Sequence, residues 1–206
     1  GLDNHGMGTI FEELIRKFNE ENNEEAGEHW TPRDVVELMS DLVFMPIADK
    51  IKDASYSCYD GACGTGGMLT VAQDRLLTLA KRQEINPETY AICKADMLLK
   101  GDGEEAEHIM YGSTLSDDQH ASRQFDFMLS NPPYGKSWKT DAEKMGGKKE
   151  ILDTRFNTYL ENGEIMPMIP RTSDGQLLFL LNNVAKMKKD TELGSRIAEV
   201  HNGSSI

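Results

Sequence analysis

The first hydrophobic pattern in the chain is Ile10, Phe11, Leu14, Ile15 and Phe18, at helical spacing, behind a capping box, Thr9-x-x-Glu12. Residues 19–28 are acidic and Asn-rich and predict a loop. A second helix start follows, with Thr31 as N-cap, Pro32 at the first helical position and Asp34 in the first turn. Val35, Val36, Leu38, Met39, Leu42 and Val43 give it an apolar face. Residues 55–59 read as a short strand ended by Asp60, residues 61–67 as a glycine-rich turn, and residues 68–80 as the helix after it. Asn86-Pro87 opens a helix to about Lys100, stopped by Gly101. Ile109–Tyr111 reads as a brief strand. Phe125–Leu129 is a strand running straight into Asn131-Pro132-Pro133-Tyr134. Residues 136–170 have no clean period and predict a long, mobile loop. Ser173-x-x-Gln176 predicts the cap of a helix through Met187, and Arg196–Val200 a last strand.

Strand, glycine turn and helix in repetition predict an α/β fold with a mainly parallel sheet. Ligands of such sheets bind outside the carboxyl ends of the strands. Both sharp motifs lie there, one after strand 55–59 and one after strand 125–129.

Composition narrows the class. Charged residues at 28% and apolar residues at 38% of the 206 positions fit a soluble globular chain. No run approaches the roughly 20 apolar residues of a membrane span. The polar, glycine-rich Gly1–Gly8 does not read as a signal peptide, and the lack of an initial Met suggests a fragment. Cys58, Cys63 and Cys93 suit no zinc site by spacing and read as reduced thiols of a cytosolic protein. The net charge of −13 argues against a domain that grips a long stretch of DNA alone. It leaves room for an enzyme that handles one extruded base while a partner holds the duplex.

In Asp60-Gly61-Ala62-Cys63-Gly64-Thr65-Gly66-Gly67, glycines at a strand-to-helix turn let a ligand approach the backbone, and the helix N-terminus favours an anionic group. The spacing matches neither Gly-x-Gly-x-x-Gly nor a nucleoside-triphosphate loop. The alternative is a tight turn with no ligand. Glu84 lies about 20 positions after the glycine turn, where an acid can hold ribose hydroxyls; a surface glutamate is the plainer reading. Asn131-Pro132-Pro133-Tyr134 is the sharpest element. Its prolines stiffen the chain and remove backbone donors. The Asn131 side-chain oxygen and the Pro132 carbonyl can then both accept from one planar NH₂ group, and Tyr134 offers a stacking face. A sulfonium methyl in line with the amine lone pair could transfer by direct displacement, carried by positioning and electrostatics without a metal. The bland reading is a rigid turn.

Taken in order, these motifs resemble the modification subunit of type I DNA restriction–modification systems, an adenine-N6 methyltransferase. The resemblance covers nearly the whole chain and includes Ser173-Asp174-Gly175-Gln176 and Gly194-Ser195-Arg196-Ile197. It implies a Rossmann-like class I S-adenosylmethionine-dependent methyltransferase fold with helices on both faces of the sheet, truncated at the C-terminal end. Residues 1–30 would be an N-terminal helix and acidic linker, and 31–206 a partial catalytic domain with the long loop 136–170. Glu28, His29, Trp30, Thr31, Pro32 and Arg33 would touch the methionine end of S-adenosylmethionine. Asp60, Ala62, Gly64, Thr65, Gly66 and Gly67 would form the cofactor loop, Glu84 would hold the ribose, and Ser113 would lie near the adenine or the cofactor. Asn131, Pro132, Pro133 and Tyr134 would receive an adenine flipped out of double-stranded DNA. Partners would be a specificity subunit, in which sequence recognition resides, and a restriction subunit, in a prokaryotic cytoplasm with work at the nucleoid and no membrane.

The chain departs from the family's pattern at Gly61, where Pro is usual; at Ser113, where Asp or Asn is frequent; and at Trp30, in place of Phe. Leu79 to Glu84 leaves no room for the family's apolar second strand, so either that strand is shortened here or, the favoured expectation, residues are missing from the sequence there. The family's N-terminal helical domain and everything after the fifth strand are also absent, so activity of this stretch by itself is not expected. His29, His108 and His120 read as ordinary polar residues. Trp138 and Phe156 either pack over the base or anchor the loop. Lys136, Lys139, Lys144, Lys148 and Lys149 form either a solvated face or phosphate contacts. Two rival functions stay open: a methyltransferase for a glutamine amide or an RNA base, and a non-catalytic cofactor-binding scaffold.

Overall fold

A computed structural model describes residues 17, 31–51, 56–63, 67–82, 94–95 and 112–203, without the side chains of 77, 80–82, 94 and 95. The helix expected over residues 10–18 (Lys17 apart), the strand expected at 109–111, and Cys93, His29 and His108 lie outside the described residues.

Helix α1, Arg33–Phe44, buries Val36, Met39, Val43 and Phe44, a stripe at i, i+3 and i+7 that matches one helix face. Leu38 and Leu42, expected on that face, point outward at 59% and 64% exposure. A 3₁₀ turn, Met45–Lys50, leads on toward strand β1, Ser57–Tyr59. Helix α2, Gly67–Arg82, packs beside α1. Strand β2, Lys94–Ala95, follows, then β3, Phe127–Ser130. The helix expected over Asn86–Lys100 is therefore not a helix at 94–95. The parallel neighbour of β1 comes after Glu84 in the chain, not before it.

The sheet order is β2-β1-β3-β6, with β6 spanning Arg196–Glu199, and every pairing is parallel. The chain leaves β1 toward β2 on one side and later returns as β3 on the other, which makes the β1/β3 boundary a topological switch point. All four β3 side chains are buried, as expected of a parallel strand covered on both faces. Cys58, Phe127 and Leu129 face α1 and α2, where Phe44 meets the Phe127 ring edge-on at 5.0 Å. Tyr59, Met128 and Ile197 face the other way, toward helix α4, Gln176–Ala185. Helices thus cover both faces, as expected.

Residues 136–170, expected to be a long, mobile loop, hold a short helix α3, Lys139–Lys144, a 3₁₀ turn, Thr154–Phe156, and a hairpin of β4, Asn157–Tyr159, with β5, Ile165–Pro167. The elements are too short to show a period. Their order comes from a second apolar cluster of Leu115, Trp138, Ala142, Ile151, Phe156 and Leu178. Trp138 donates from Nε1 to the Arg171 carbonyl at 2.8 Å, and its ring lies 3.2 Å from where a Cβ on Gly175 would be. Trp138 and Phe156 are anchors of this segment, 3% and 0% exposed.

Arg155 ties the segment down. Its guanidinium donates to the Thr114 and Leu115 carbonyls, to Asn182 Oδ1 and to Asp153. It also pairs with Asp118, which Lys186 reaches at 2.7 Å. Burial acts to raise the Asp153 pKa, but Arg155 overrides it and holds the carboxyl below its usual range.

Candidate functional site

The carboxyl ends of β1 and β3 are neighbours, because the register sets Tyr59 opposite Met128. Asp60 and Asn131 therefore leave the sheet at one edge, in the crevice where doubly wound sheets place ligands. At the β1 end, Asp60 Oδ1 accepts from the Ala62 N–H at 2.8 Å and from the Ser130 hydroxyl at 3.2 Å. The first bond closes an Asx turn, which is how the short Asp side chain bends the chain out of a strand. Its second oxygen accepts from none of the described residues. Gly67 opens α2 behind this turn. Gly64, Thr65 and Gly66 lie outside the described residues, as do Glu28, His29, Trp30 and Glu84.

At the β3 end, Pro132 is fully buried, Pro133 is exposed and Tyr134 is 46% exposed. Gly135 follows at φ +67°, a conformation that turns the chain sharply and suits glycine. Asn131 donates from Nδ2 to the Thr31 hydroxyl at 2.9 Å, a contact across 100 residues. No described N–H claims the Pro132 carbonyl. The two acceptors named from the sequence, Asn131 Oδ1 and Pro132 O, are thus not spent on the fold among the described residues.

Thr31 does not cap α1, as was expected; Pro32 occupies the N-cap position without a side-chain bond, and its carbonyl accepts from Val35 and Val36. The Thr31 hydroxyl turns to Asn131 instead. Arg33 pairs with Glu37 at 3.2 Å on the surface. Ser113 donates to Asp141 at 2.6 Å and accepts from the Leu115 and Ser116 N–H groups. It ties residues 112–120 to α3, and the contact expected to adenine or cofactor competes with those bonds. Ser173 likewise does not cap α4; Gly175 is the N-cap, and Asp174 Oδ1 accepts from Gln176 N.

Sequence reasoning missed the polar layer beneath the crevice. Ser130 and Asn183 are fully buried, and Asn183 Nδ2 donates both to Ser130 Oγ at 3.4 Å and to Glu199 Oε2 at 2.8 Å. Glu199 Oε1 has His201 Nε2 at 2.8 Å but no aligned donor. The signal was present: Asn182-Asn183 interrupts the apolar run of α4, and such residues inside a helix need buried partners. Asn182 also meets the Tyr59 hydroxyl at 3.3 Å. Burial, with a smaller part from the Asp118 and Asp60 charges, pushes the Tyr59 pKa to about 12 against the Asn182 bond.

Burial pushes the Asp60 carboxyl to about 7, against the bonds from Ala62 and Ser130. Burial pushes Glu199 to about 7 as well, with a further rise from the Asp60 charge, against the Asn183 bond. A carboxyl with a folded pKa above its unfolded value holds its proton longer when folded. Its stabilising contribution is complete at low pH and is lost as pH rises toward about 7. Both groups act in the same direction, so thermal melts should show a lower Tm at about pH 8 than at about pH 5.5. Glu199→Gln keeps an acceptor for Asn183 without the charge and should shrink that difference; an unchanged difference removes Glu199 as a source.

Gly61 has its own packing reason. A Cβ there would lie 3.1 Å from the Tyr59 hydroxyl and 3.2 Å from Thr114 Cγ2, and the Thr114 hydroxyl donates to the Gly61 carbonyl. Glycine lets the turn close against Tyr59. Gly61→Ala should cost about 1–3 kcal/mol by overpacking, read from the urea midpoint.

Among the described residues no cluster of His, Cys, Asp and Glu could hold a metal ion, and no helix is long and apolar enough to cross a membrane. Lys136, Lys139, Lys144, Lys148 and Lys149 are all exposed.

The chain is similar to the type I restriction enzyme MpnII methylase subunit of Mycoplasma pneumoniae, 29% identical over 85% of this chain and 32% of that protein. It is similar also to the type I restriction enzyme MjaIX methylase subunit of Methanocaldococcus jannaschii, 27% identical over 95% of this chain and 36% of that one. The chain spans about a third of the length of these curated relatives. Among solved structures, the methyltransferase subunit of a type I restriction–modification system from Streptococcus thermophilus aligns at TM-score 0.46 and 22% identity, over 89% of this chain and 36% of that one. The profile of the N-6 DNA methylase family matches residues 2–198. With that match spanning nearly its whole length and the asparagine–proline turn standing at the switch point of its parallel sheet, the chain belongs to the N-6 DNA methylase family.

Proposed function

We propose that the chain is the S-adenosylmethionine-binding core of a modification subunit that methylates adenine N6 in DNA. The observation that carries this reading is the juxtaposition at one sheet edge of two acceptors uncommitted among the described residues, Asn131 Oδ1 and Pro132 O, with the Asp60 turn.

Asp60, Ala62 and Gly67 would hold the cofactor together with the loop between them; Thr31–Arg33 is the flanking segment. A half-buried carboxyl with one oxygen uncommitted among the described residues suits a cationic ligand. S-adenosylmethionine, when bound, supplies a methyl group on a positively charged sulfur. The chain's own residues do the rest. The Tyr134 ring stacks on an adenine flipped from the duplex, while Asn131 Oδ1 and Pro132 O each accept one hydrogen of its amine. Drawing both hydrogens into that plane turns the nitrogen lone pair out of it. Pro133 and the buried Pro132 keep the acceptors from relaxing away. The exposed lysines of 136–149 offer contacts to phosphates beside the flipped base. Specificity and restriction subunits would complete the assembly, consistent with relatives named as methylase subunits.

The test is transfer of labelled methyl from S-adenosylmethionine by the complete protein in its native assembly. Label on adenine N6 of DNA is the expected result, label on protein glutamine or RNA supports the rival methyltransferase, and no label supports the scaffold. Within the reading, Tyr134→Ala should weaken DNA binding by about 1–3 kcal/mol, the worth of one base–aromatic stack, and Tyr134→Phe should not. Equal losses in both variants would mean that the hydroxyl, not the ring, matters.

A further inference from the structure

The hairpin of β4 and β5 is built as an arm. Its root is fixed in the fold. Phe156 is fully buried, Asn157 donates from Nδ2 to the Ile151 and Asp153 carbonyls, and the Met168 N–H reaches the Phe156 carbonyl at 2.9 Å. Its tip is ordered by bonds of its own. The Leu160 N–H meets the Glu164 carbonyl and the Gly163 N–H the Leu160 carbonyl, both at 2.9 Å, with Gly163 at φ +82°. Asn162 closes the turn with both ends of its amide, accepting from Glu164 N and donating to Glu164 Oε2.

Between root and tip the arm is apolar and uncovered. Tyr159 and Ile165 face each other across the ladder, 62% and 50% exposed. Leu160, the next residue after β4, and Met166, the next in β5, point to the opposite face by strand alternation, 42% and 46% exposed. A two-stranded hairpin is marginal in water by itself, and one that shows large apolar side chains on both faces buries little to offset its own ordering. Charge divides the 136–170 unit as well. All five of its lysines lie in 136–149. Residues 156–170 hold no Lys, Arg or His, while Glu161 and Glu164 are exposed at the tip. A phosphate backbone therefore meets cations on the first half of the unit and carboxylates on the second.

We propose that the β4–β5 hairpin is a protein-docking arm, whose apolar sides enter a cleft edged with Lys or Arg on another subunit of the assembly. Charge disfavours the duplex as occupant and selects the partner. Apolar side chains on both faces need a cleft that takes them out of water, and the tip carboxylates need cations at its rim. A root and a tip ordered before docking lower the ordering cost of binding. The proposal rests on the modification-subunit reading, to which it adds the surface that joins this chain to a partner.

The experiment uses the complete protein with its co-expressed partner subunits. Sedimentation velocity reads the Kd of assembly, beside the Tm of the complete protein alone and its affinity for DNA. Tyr159→Ser with Ile165→Ser should weaken assembly roughly 10- to 100-fold, the scale of losing one or two interface anchors. The Tm of the protein alone should not change, since both side chains are exposed. Glu161→Lys leaves the bonds of the turn in place; it should slow association at low salt, with the difference shrinking at high salt. Assembly like wild type in both variants overturns the proposal. So does a lowered Tm of the protein alone with assembly unchanged, which would mean that the rest of the chain covers the arm. Weakened DNA binding with assembly unchanged overturns it in favour of nucleic acid, and loss of a self-dimer alone in favour of a second copy. If the double variant does not fold, Glu161→Lys decides by the same measures. A wild type that binds no partner subunit and puts no methyl on adenine strikes the functional reading itself, whereas an assembled, active wild type with insensitive hairpin variants strikes only the arm.

Discussion

Asn131→Ala is expected to cut methyl transfer to DNA by about 10²–10³-fold, with S-adenosylmethionine still bound at close to wild-type affinity. That is the scale on which removing one preorganised group aimed at developing charge acts in a water-excluded site. The truncation removes an acceptor without touching the buried layer beneath it, because Ser130, Asn183 and Glu199 bond among themselves and to Asp60. It also strands the Thr31 hydroxyl, which can turn to water. Stability should therefore change little, and the loss should appear in kcat with no drop in Tm. Full transfer by Asn131→Ala would overturn the catalytic role given to the tetrapeptide.

Arg155→Ala is expected to destabilise the fold by about 3–5 kcal/mol, the cost typical of stripping one partner from a buried ion pair. Arg155 and Asp118 are 12% and 7% exposed at the side chain. Removing the guanidinium leaves the Thr114 and Leu115 carbonyls and Asn182 Oδ1 without their donor. Among the described residues Lys186 alone then compensates Asp118. Arg155→Lys keeps the charge but not the planar fork and should recover only part of the loss. Urea denaturation with an unchanged m-value measures both. A loss below about 1 kcal/mol for Arg155→Ala would mean that solvent already screens the network.

The sequence made much of this protein legible. Periodicity marked α1, α2, α4 and the strands β1, β3 and β6 to within a few residues, because each is long or apolar enough for burial of one face to dominate its composition. The tetrapeptide and the Asp60 turn were legible for another reason: prolines and glycines restrict or free the backbone locally, so their meaning does not wait for a partner. Composition set the acidic balance, and that argues against a domain that grips a long stretch of DNA alone.

Other assignments needed the tertiary structure. Residues 136–170 look shapeless as a string, since their order comes from Trp138, Ile151 and Phe156 meeting Leu115 and Leu178 across the fold. Leu38 and Leu42 share the apolar character of Val36 and Met39, and only packing decided which of them face the core. Ser113 and Ser173 carry hydroxyls at plausible positions, yet one bonds Asp141 and the other leaves its capping role to Asp174 and Gly175. Glu199 is an ordinary letter in the last strand until α4 buries it against Asn183. Local backbone preference is written in neighbouring residues and can be read from them. Which oxygen meets which nitrogen across 100 residues is set by how helices and strands pack, and that brought Thr31 to Asn131.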